Sequence, residues 1–195
     1  AAMREVKAMG WSNSLQARSR VPVTRTLLAR ADGRRADLVL TAWHCLEYYD
    51  DLSRAIIFTL RPGSANAVSR EAYRVADGGG MHADWALLKL FRAVDASDVP
   101  GLSLHPNRAD ASLPITMAGY SRDDGLGGGG DKLTYHSECH ITVQQPRESE
   151  SDCRAYKGAS GGAVIQLSPV GEAQVRIDLT STYSTGQNWT SRRTL

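Results

Sequence analysis

Lys157-Gly158-Ala159-Ser160-Gly161-Gly162 sets a hydroxyl between glycines on a tight turn, and the fold of the whole chain hangs on what that serine is for. A serine hydroxyl is a weak nucleophile at neutral pH; it needs a base to take its proton and donors to hold the oxyanion it creates. Glycines serve the second need. Gly158 has no side chain to obstruct its own N–H, and Gly161 and Gly162 tolerate a sharp backbone. Serine between glycines is equally ordinary loop chemistry, so the turn decides nothing until partners are found upstream.

Two segments supply them. Leu40-Thr41-Ala42-Trp43-His44-Cys45 ends an apolar run on a histidine, and Asp84-Trp85-Ala86-Leu87-Leu88-Lys89-Leu90 opens another with a carboxylate. His44 can accept the proton of Ser160 while Asp84 fixes the imidazole tautomer. Taken singly, a histidine after a strand is a common loop residue and an aspartate before one a common turn residue. All three together make a far less ordinary coincidence.

Around these segments the chain reads as short apolar runs divided by turn signals. Arg25 to Ala29, Leu38 to Thr41, Ala55 to Leu60, Ala72 to Val75 and Trp85 to Phe91 are strands of a first half. Between them lie Ala31-Asp32-Gly33-Arg34-Arg35, Arg61-Pro62-Gly63 and Asp77-Gly78-Gly79-Gly80. Pro114 to Tyr120, Leu133 to Tyr135, Cys139 to Val143, Gly162 to Leu167 and Val175 to Thr182 repeat the habit. With no long helical period, this pattern predicts an all-β sandwich or barrel. Asp95 to Leu113, rich in Pro, Asp, Ser and Asn, reads as a connector between two subdomains, giving a first unit over about 20–100 and a second over about 113–195. The residues up to Arg20 show no period and are left unassigned. Gly125 to Asp131 reads as a flexible loop, since its glycines lack the strand and helix context of a phosphate cradle.

The chain has 195 residues, which suit one compact domain or two small barrels, and 42% of them are hydrophobic, enough to bury a core. Its formal charge of +2, from 23 basic and 21 acidic residues, provides no field to draw in nucleic acid or an anionic membrane. No run approaches a membrane span, and the N-terminus lacks the apolar core of a signal peptide. If the protein is exported, its signal has been removed. Cys139 and Cys153 bracket a polar run, Pro146 to Asp152, that would be a floppy hairpin end without a staple, so the two are expected to pair. A loop of that size gains about 3 kcal/mol by chain entropy. Such a bond belongs to an oxidising compartment, so the expected location is secreted or periplasmic. The competing use of these residues, a metal held by His136, Cys139 and His140, lacks a fourth ligand at a usual spacing. Neither a metal nor a cofactor is expected. Cys45 is left over as a buried free thiol.

At this point the sequence resembles the trypsin and chymotrypsin superfamily of serine peptidases. Thr41-Ala42-Trp43-His44-Cys45 looks like the family's TAAHC motif, Asp84-Trp85-Ala86-Leu87-Leu88 like D-I-A-L-L, and Gly158 to Gly162 like G-x-S-G-G, in the family's His, Asp, Ser order. Ala118-Gly119-Tyr120-Ser121 and the Cys139 to Cys153 loop look like the smaller bacterial trypsin-like and glutamyl endopeptidase-like branch. The resemblance implies two antiparallel six-stranded β-barrels with the active site in the cleft between them. His44 and Asp84 would come from the first and Ser160 from the second. It further implies an oxyanion hole from the N–H groups of Gly158 and Ser160, a protein or peptide substrate, and a monomer.

The departures matter too. Ala159 stands where animal digestive members carry an aspartate, and the chain shows no Ile-Val-Gly-Gly start, so activation by the salt bridge between those two is not expected. Val23 to Leu28 holds no cysteine to pair with Cys45. Trp43, in place of a small residue, is expected to serve in core packing. Arg154 occupies the position six before the nucleophile, where trypsin-like members select a basic side chain with an acid. There an arginine would repel basic side chains and could pair with a substrate Glu or Asp; an exposed Arg154 without a role is the other reading, and both stand open. Leu179 to Gly186 is expected to supply the strand that a substrate pairs with, and Asn188-Trp189-Thr190 is a glycosylation sequon. A non-catalytic or latent binding module on a peptidase fold is the alternative function, although such modules usually lose a triad residue.

Overall fold

The computed structural model describes residues 11–12, 24–47, 56–61, 64–123, 125–146, 148–176 and 189–192. Six strands close into a barrel: β1 (Trp11–Ser12), β2 (Arg25–Ala29), β3 (Arg35–Thr41), β4 (Ile56–Leu60), β5 (Val68–Asp77) and β6 (Ala86–Asp95), in the order β1-β2-β3-β6-β5-β4. Closure removes the open edges on which a sheet of this size would otherwise aggregate.

The second unit is built from β7 (Ser103–His105), β8 (Ile115–Tyr120), β9 (Leu133–Cys139), β10 (Ile141–Gln145), β11 (Glu148–Ser151), β12 (Ala163–Leu167), β13 (Ala173–Arg176) and β14 (Trp189–Arg192). Among the described residues these form a five-stranded sheet, β7-β13-β12-β8-β9, and a three-stranded sheet, β10-β11-β14. Only His140 separates β9 from β10, so the chain turns directly from one sheet into the other. The all-β, two-unit architecture is the expected one.

Strand parity explains how the units join. Successive side chains of a strand point to opposite faces. Leu27, Val39, Leu88 and Leu90 face the first barrel's interior with Phe58, Leu60 and Val94. Their neighbours Leu28, Leu38, Leu40 and Leu87 face outward and are covered by Ala118, Tyr120, Ile165 and Val175 of the second unit. The second unit repeats the device, turning Ile115, Met117 and Val164 into a third cluster with Ile141 and both cysteines of the disulfide. Leu27-Leu28 of β2, Leu38 to Leu40 of β3 and Leu87-Leu88 of β6 pack on both faces, and there the strands read as apolar runs rather than as alternating ones.

Two elements depart from the sequence reading. The connector contains β7, which pairs in parallel with β13 at Leu104↔Val175, and Leu102 bridges to Leu28. The polar run after Pro146 contains β11, paired on one side with β10 and on the other with β14. Main-chain pairing holds both strands, and their side chains carry no alternation that announces them. Of the expected Val175 to Thr182 strand, Val175 and Arg176 are described, at the end of β13, and the rest lies outside the described residues, as does the substrate-pairing segment Leu179 to Gly186.

Candidate active site

His44 and Asp84 are neighbours because β3 and β6 are. Thr41, the last residue of β3, pairs with Ala86, the first of β6. The chain beyond Thr41 therefore emerges beside the chain entering β6. A single 3-10 turn, Trp43–Cys45, then swings the imidazole back over the barrel end. Asp84 is fully buried and accepts twice from His44: the backbone N–H donates to Oδ1 at 2.9 Å, and Nδ1 lies 2.8 Å from Oδ2. Two contacts from one carboxylate fix the position of the residue and the orientation of its ring, which turns Nε2 away from the carboxylate.

A close chain crossing seats Asp84. Gly78 donates its N–H to Trp85 O at 3.0 Å, and any Cβ on Gly78 would lie 1.8 Å from Ala83 O. Only glycine permits β5 to end so near the aspartate.

Ser160 lies in a turn of the second unit, 5% exposed. Ala159 N–H donates to Tyr156 O at 3.1 Å and Gly162 N–H to Ala159 O at 2.9 Å, which closes the turn on both sides of the serine. Gly158 at φ 97° and Gly161 at φ 81° take the left-handed region that a side chain resists. Gly161 also touches the first barrel, since a Cβ there would come within 2.5 Å of Thr41 Oγ1 and 3.0 Å of Ala42 N. The serine turn is thus pressed against the two residues that lead into His44.

Cys45 lies between the two halves of the site. Its sulfur is 3.8 Å from His44 Nε2 and 3.9 Å from Ser160 O. The thiol is free, as expected, but it is part-exposed at the site and not buried in the core. With no cysteine opposite, nothing draws it inward. Trp43 is likewise part-exposed on the same turn and absent from the apolar clusters, so it does not serve as the core residue expected of it.

The charge of His44 follows from these contacts. Burial pulls the imidazole down, but the hydrogen bond to Asp84, followed by the contact with Cys45, outweighs it and raises the pKa to about 10. The hydrogen bond to Asp84 is thus what favours the charged form of the ring.

Residues that motif reading missed hold the two units together here. Thr24 is fully buried, and its Oγ1 donates to Gly158 O at 2.9 Å while accepting from Tyr120 N–H at 2.7 Å. Thr41 Oγ1 donates to Thr24 O at 3.0 Å, and Thr26 Oγ1 to Gly161 O at 3.4 Å. Thr41 opens the motif around His44, but Thr24 and Thr26 are unremarkable in sequence; only their burial marks them, and burial cannot be read from one chain.

Arg154 is exposed on the segment leading into the serine turn, and its backbone N–H donates to His136 Nδ1 at 3.0 Å. Cys139 and Cys153 form the expected disulfide, S–S 2.04 Å, between the end of β9 and that same segment. With both sulfurs bonded to each other, the cluster they make with His136 has no thiolate to offer a metal.

A closed barrel and a second β unit meeting at an aspartate-gripped histidine and a glycine-flanked serine define the chymotrypsin fold. The chain belongs to the trypsin-like peptidase domain family, which matches residues 28–169. No curated relative matches. Among solved structures, a Glu endopeptidase in complex with MPD is similar at 19% identity and TM-score 0.67, over 96% of this chain and 85% of that one. A thermostable serine protease, AL20, from an extremophilic microorganism is similar at 15% identity and TM-score 0.67, over 97% of this chain and 91% of that one. No helix among the described residues is long and apolar enough to cross a membrane.

Proposed function

We propose that the chain is a serine endopeptidase that cleaves peptide bonds through His44, Asp84, Ser160 and a covalent acyl-enzyme. The observation that carries this reading is the double hold of Asp84 on His44, which aims Nε2 away from the carboxylate. Ser160 Oγ adds to the scissile carbonyl carbon as its proton passes to Nε2. The carbonyl electrons move onto oxygen, where the N–H groups of Gly158 and Ser160 receive the charge. Collapse expels the amine, which leaves with the proton from Nε2. Water then repeats the sequence on the ester, releasing the acid and restoring the serine.

The substrate preference is for acidic side chains. Arg122, Arg154 and Lys157 are exposed around the serine turn, and none makes an ion pair among the described residues. Such a rim repels Lys and Arg and attracts Asp and Glu. The disulfide supports a secreted or periplasmic location.

The second reading is a latent form: the contacts of His44 with Asp84 and Cys45 favour its charged state, and a charged imidazole cannot act as base. A fluorophosphonate probe mapped by mass spectrometry separates the two. Labelling confined to Ser160, abolished in Ser160→Ala and His44→Ala, supports the peptidase. A folded protein unlabelled from pH 7 to 10 is a binding module.

A further inference from the structure

Gly158 is flanked by two peptide planes, and each is held by a different partner. The carbonyl of Lys157 accepts the Arg122 N–H at 2.7 Å. In a trans peptide the N–H of the next residue points opposite to that carbonyl, so this bond aims the Gly158 N–H. The following carbonyl, that of Gly158 itself, accepts twice from one residue: Thr24 N–H at 3.2 Å and Thr24 Oγ1 at 2.9 Å. Thr24 is held in turn, its hydroxyl accepting from Tyr120 N–H at 2.7 Å and its carbonyl accepting from Thr41 Oγ1 at 3.0 Å. A Cβ on Gly161 would lie 2.3 Å from Thr24 O, so the far side of the serine turn rests on the same residue.

We propose that Thr24 is the positioning residue of the oxyanion turn: its hydroxyl and N–H lock the Gly158–Ala159 peptide, which lies between the planes that carry the Gly158 and Ser160 N–H groups, and so keep those two planes in register before a substrate arrives. The proposal rests on the peptidase reading, because it assigns Thr24 a task only if those N–H groups receive an oxyanion. Thr24 touches no reacting atom. Its hydroxyl both donates and accepts, with Gly158 O on one side and Tyr120 N–H on the other, and this is why the position needs a hydroxyl and not merely a buried β-branched residue. A preorganised turn does not have to reorganise as charge develops, so its loss weakens transition-state binding more than substrate binding.

The test compares Thr24→Val, which keeps the shape and removes the hydroxyl, with Thr24→Ser, which keeps the hydroxyl. Both are measured on a peptide substrate and with a peptide boronate that forms the tetrahedral adduct on serine. Thr24→Val is expected to lower kcat by about ten- to a hundredfold while KM stays within about twofold, with boronate affinity falling in parallel. Thr24→Ser is expected to recover most of both. Wild-type kcat in Thr24→Val overturns the proposal, as does a Thr24→Ser protein impaired as much as Thr24→Val, which marks a purely structural role. The peptidase reading is tested separately by fluorophosphonate labelling of the wild type. Unlabelled wild type removes that reading and Thr24's task with it, whereas labelled wild type beside an unimpaired Thr24→Val removes the task alone.

Discussion

The sulfur of Cys45 sits 3.8 Å from Nε2 of His44, the nitrogen that takes the Ser160 proton in the proposed mechanism. This contact and the grip of Asp84 raise the imidazole pKa from 6.5 to about 10. The charged form contributes stability fully below 6.5 and loses it as pH climbs towards about 10. Activity runs the other way, because the base must be neutral. Labelling of Ser160 and kcat/KM are therefore expected to rise across that window, and Cys45→Ala is expected to move the rise to lower pH. A profile already flat at pH 7, and unchanged in Cys45→Ala, contradicts this account.

A cationic rim predicts a charge preference. Peptides differing only in Glu, Gln or Lys next to the scissile bond are expected to be cleaved in that order, with Glu over Gln by about tenfold for two or three partly exposed contacts. Raising the salt from low to physiological strength should compress the ratio, and Arg154→Gln should reduce it. Cleavage that is fastest after Lys or Arg rules the preference out.

The disulfide ties the end of β9 to the segment that carries Arg154 into the serine turn, its cysteines 14 positions apart in sequence. Cys139→Ala with Cys153→Ala is expected to cost about 3 kcal/mol of stability by loop entropy, read as a lower midpoint in denaturant. Thiol titration of the unreduced, unfolded wild type should find one thiol, that of Cys45; three would mean the bond does not form in solution.

Ala159 is 3% exposed, and a Cβ on Gly119 would lie 3.0 Å from the Ala159 Cβ, so the position has neither water nor room. Ala159→Asp, which introduces the family's activation residue, buries a carboxylate without a cation. An expected cost of about 3 kcal/mol translates into a melting temperature about 10 °C lower. Burial raises the carboxyl's pKa, so the loss should grow as pH rises above about 4. An unchanged melting temperature at pH 8 would show that a hidden cation is within reach.

Legibility in the sequence followed from how local each cause is. β2 matches its expected bounds of Arg25–Ala29, and the serine turn, His44 and Asp84 were readable because each carries its chemistry within a few residues. Thr24 was not, since its importance lies in partners 96 and 134 residues away. β7 and β11 were hidden for a related reason, as both depend on pairing with distant strands. Cys45 was expected inside and is part-exposed, because it lies on the 3-10 turn that carries His44 rather than on a barrel strand.

The strands shared by both units impose a parity rule on how this gene can change. Leu38 and Leu40 belong to one cluster and Val39 to the other, so losing or gaining a single residue within β3 exchanges the two sets and turns His44 to the wrong face. A change of two residues preserves the assignment. Length variation among homologues should therefore be even-numbered within β2, β3 and β6 and unrestricted in the loops, a signature that a simple alignment of related genes can reveal without any knowledge of the substrate.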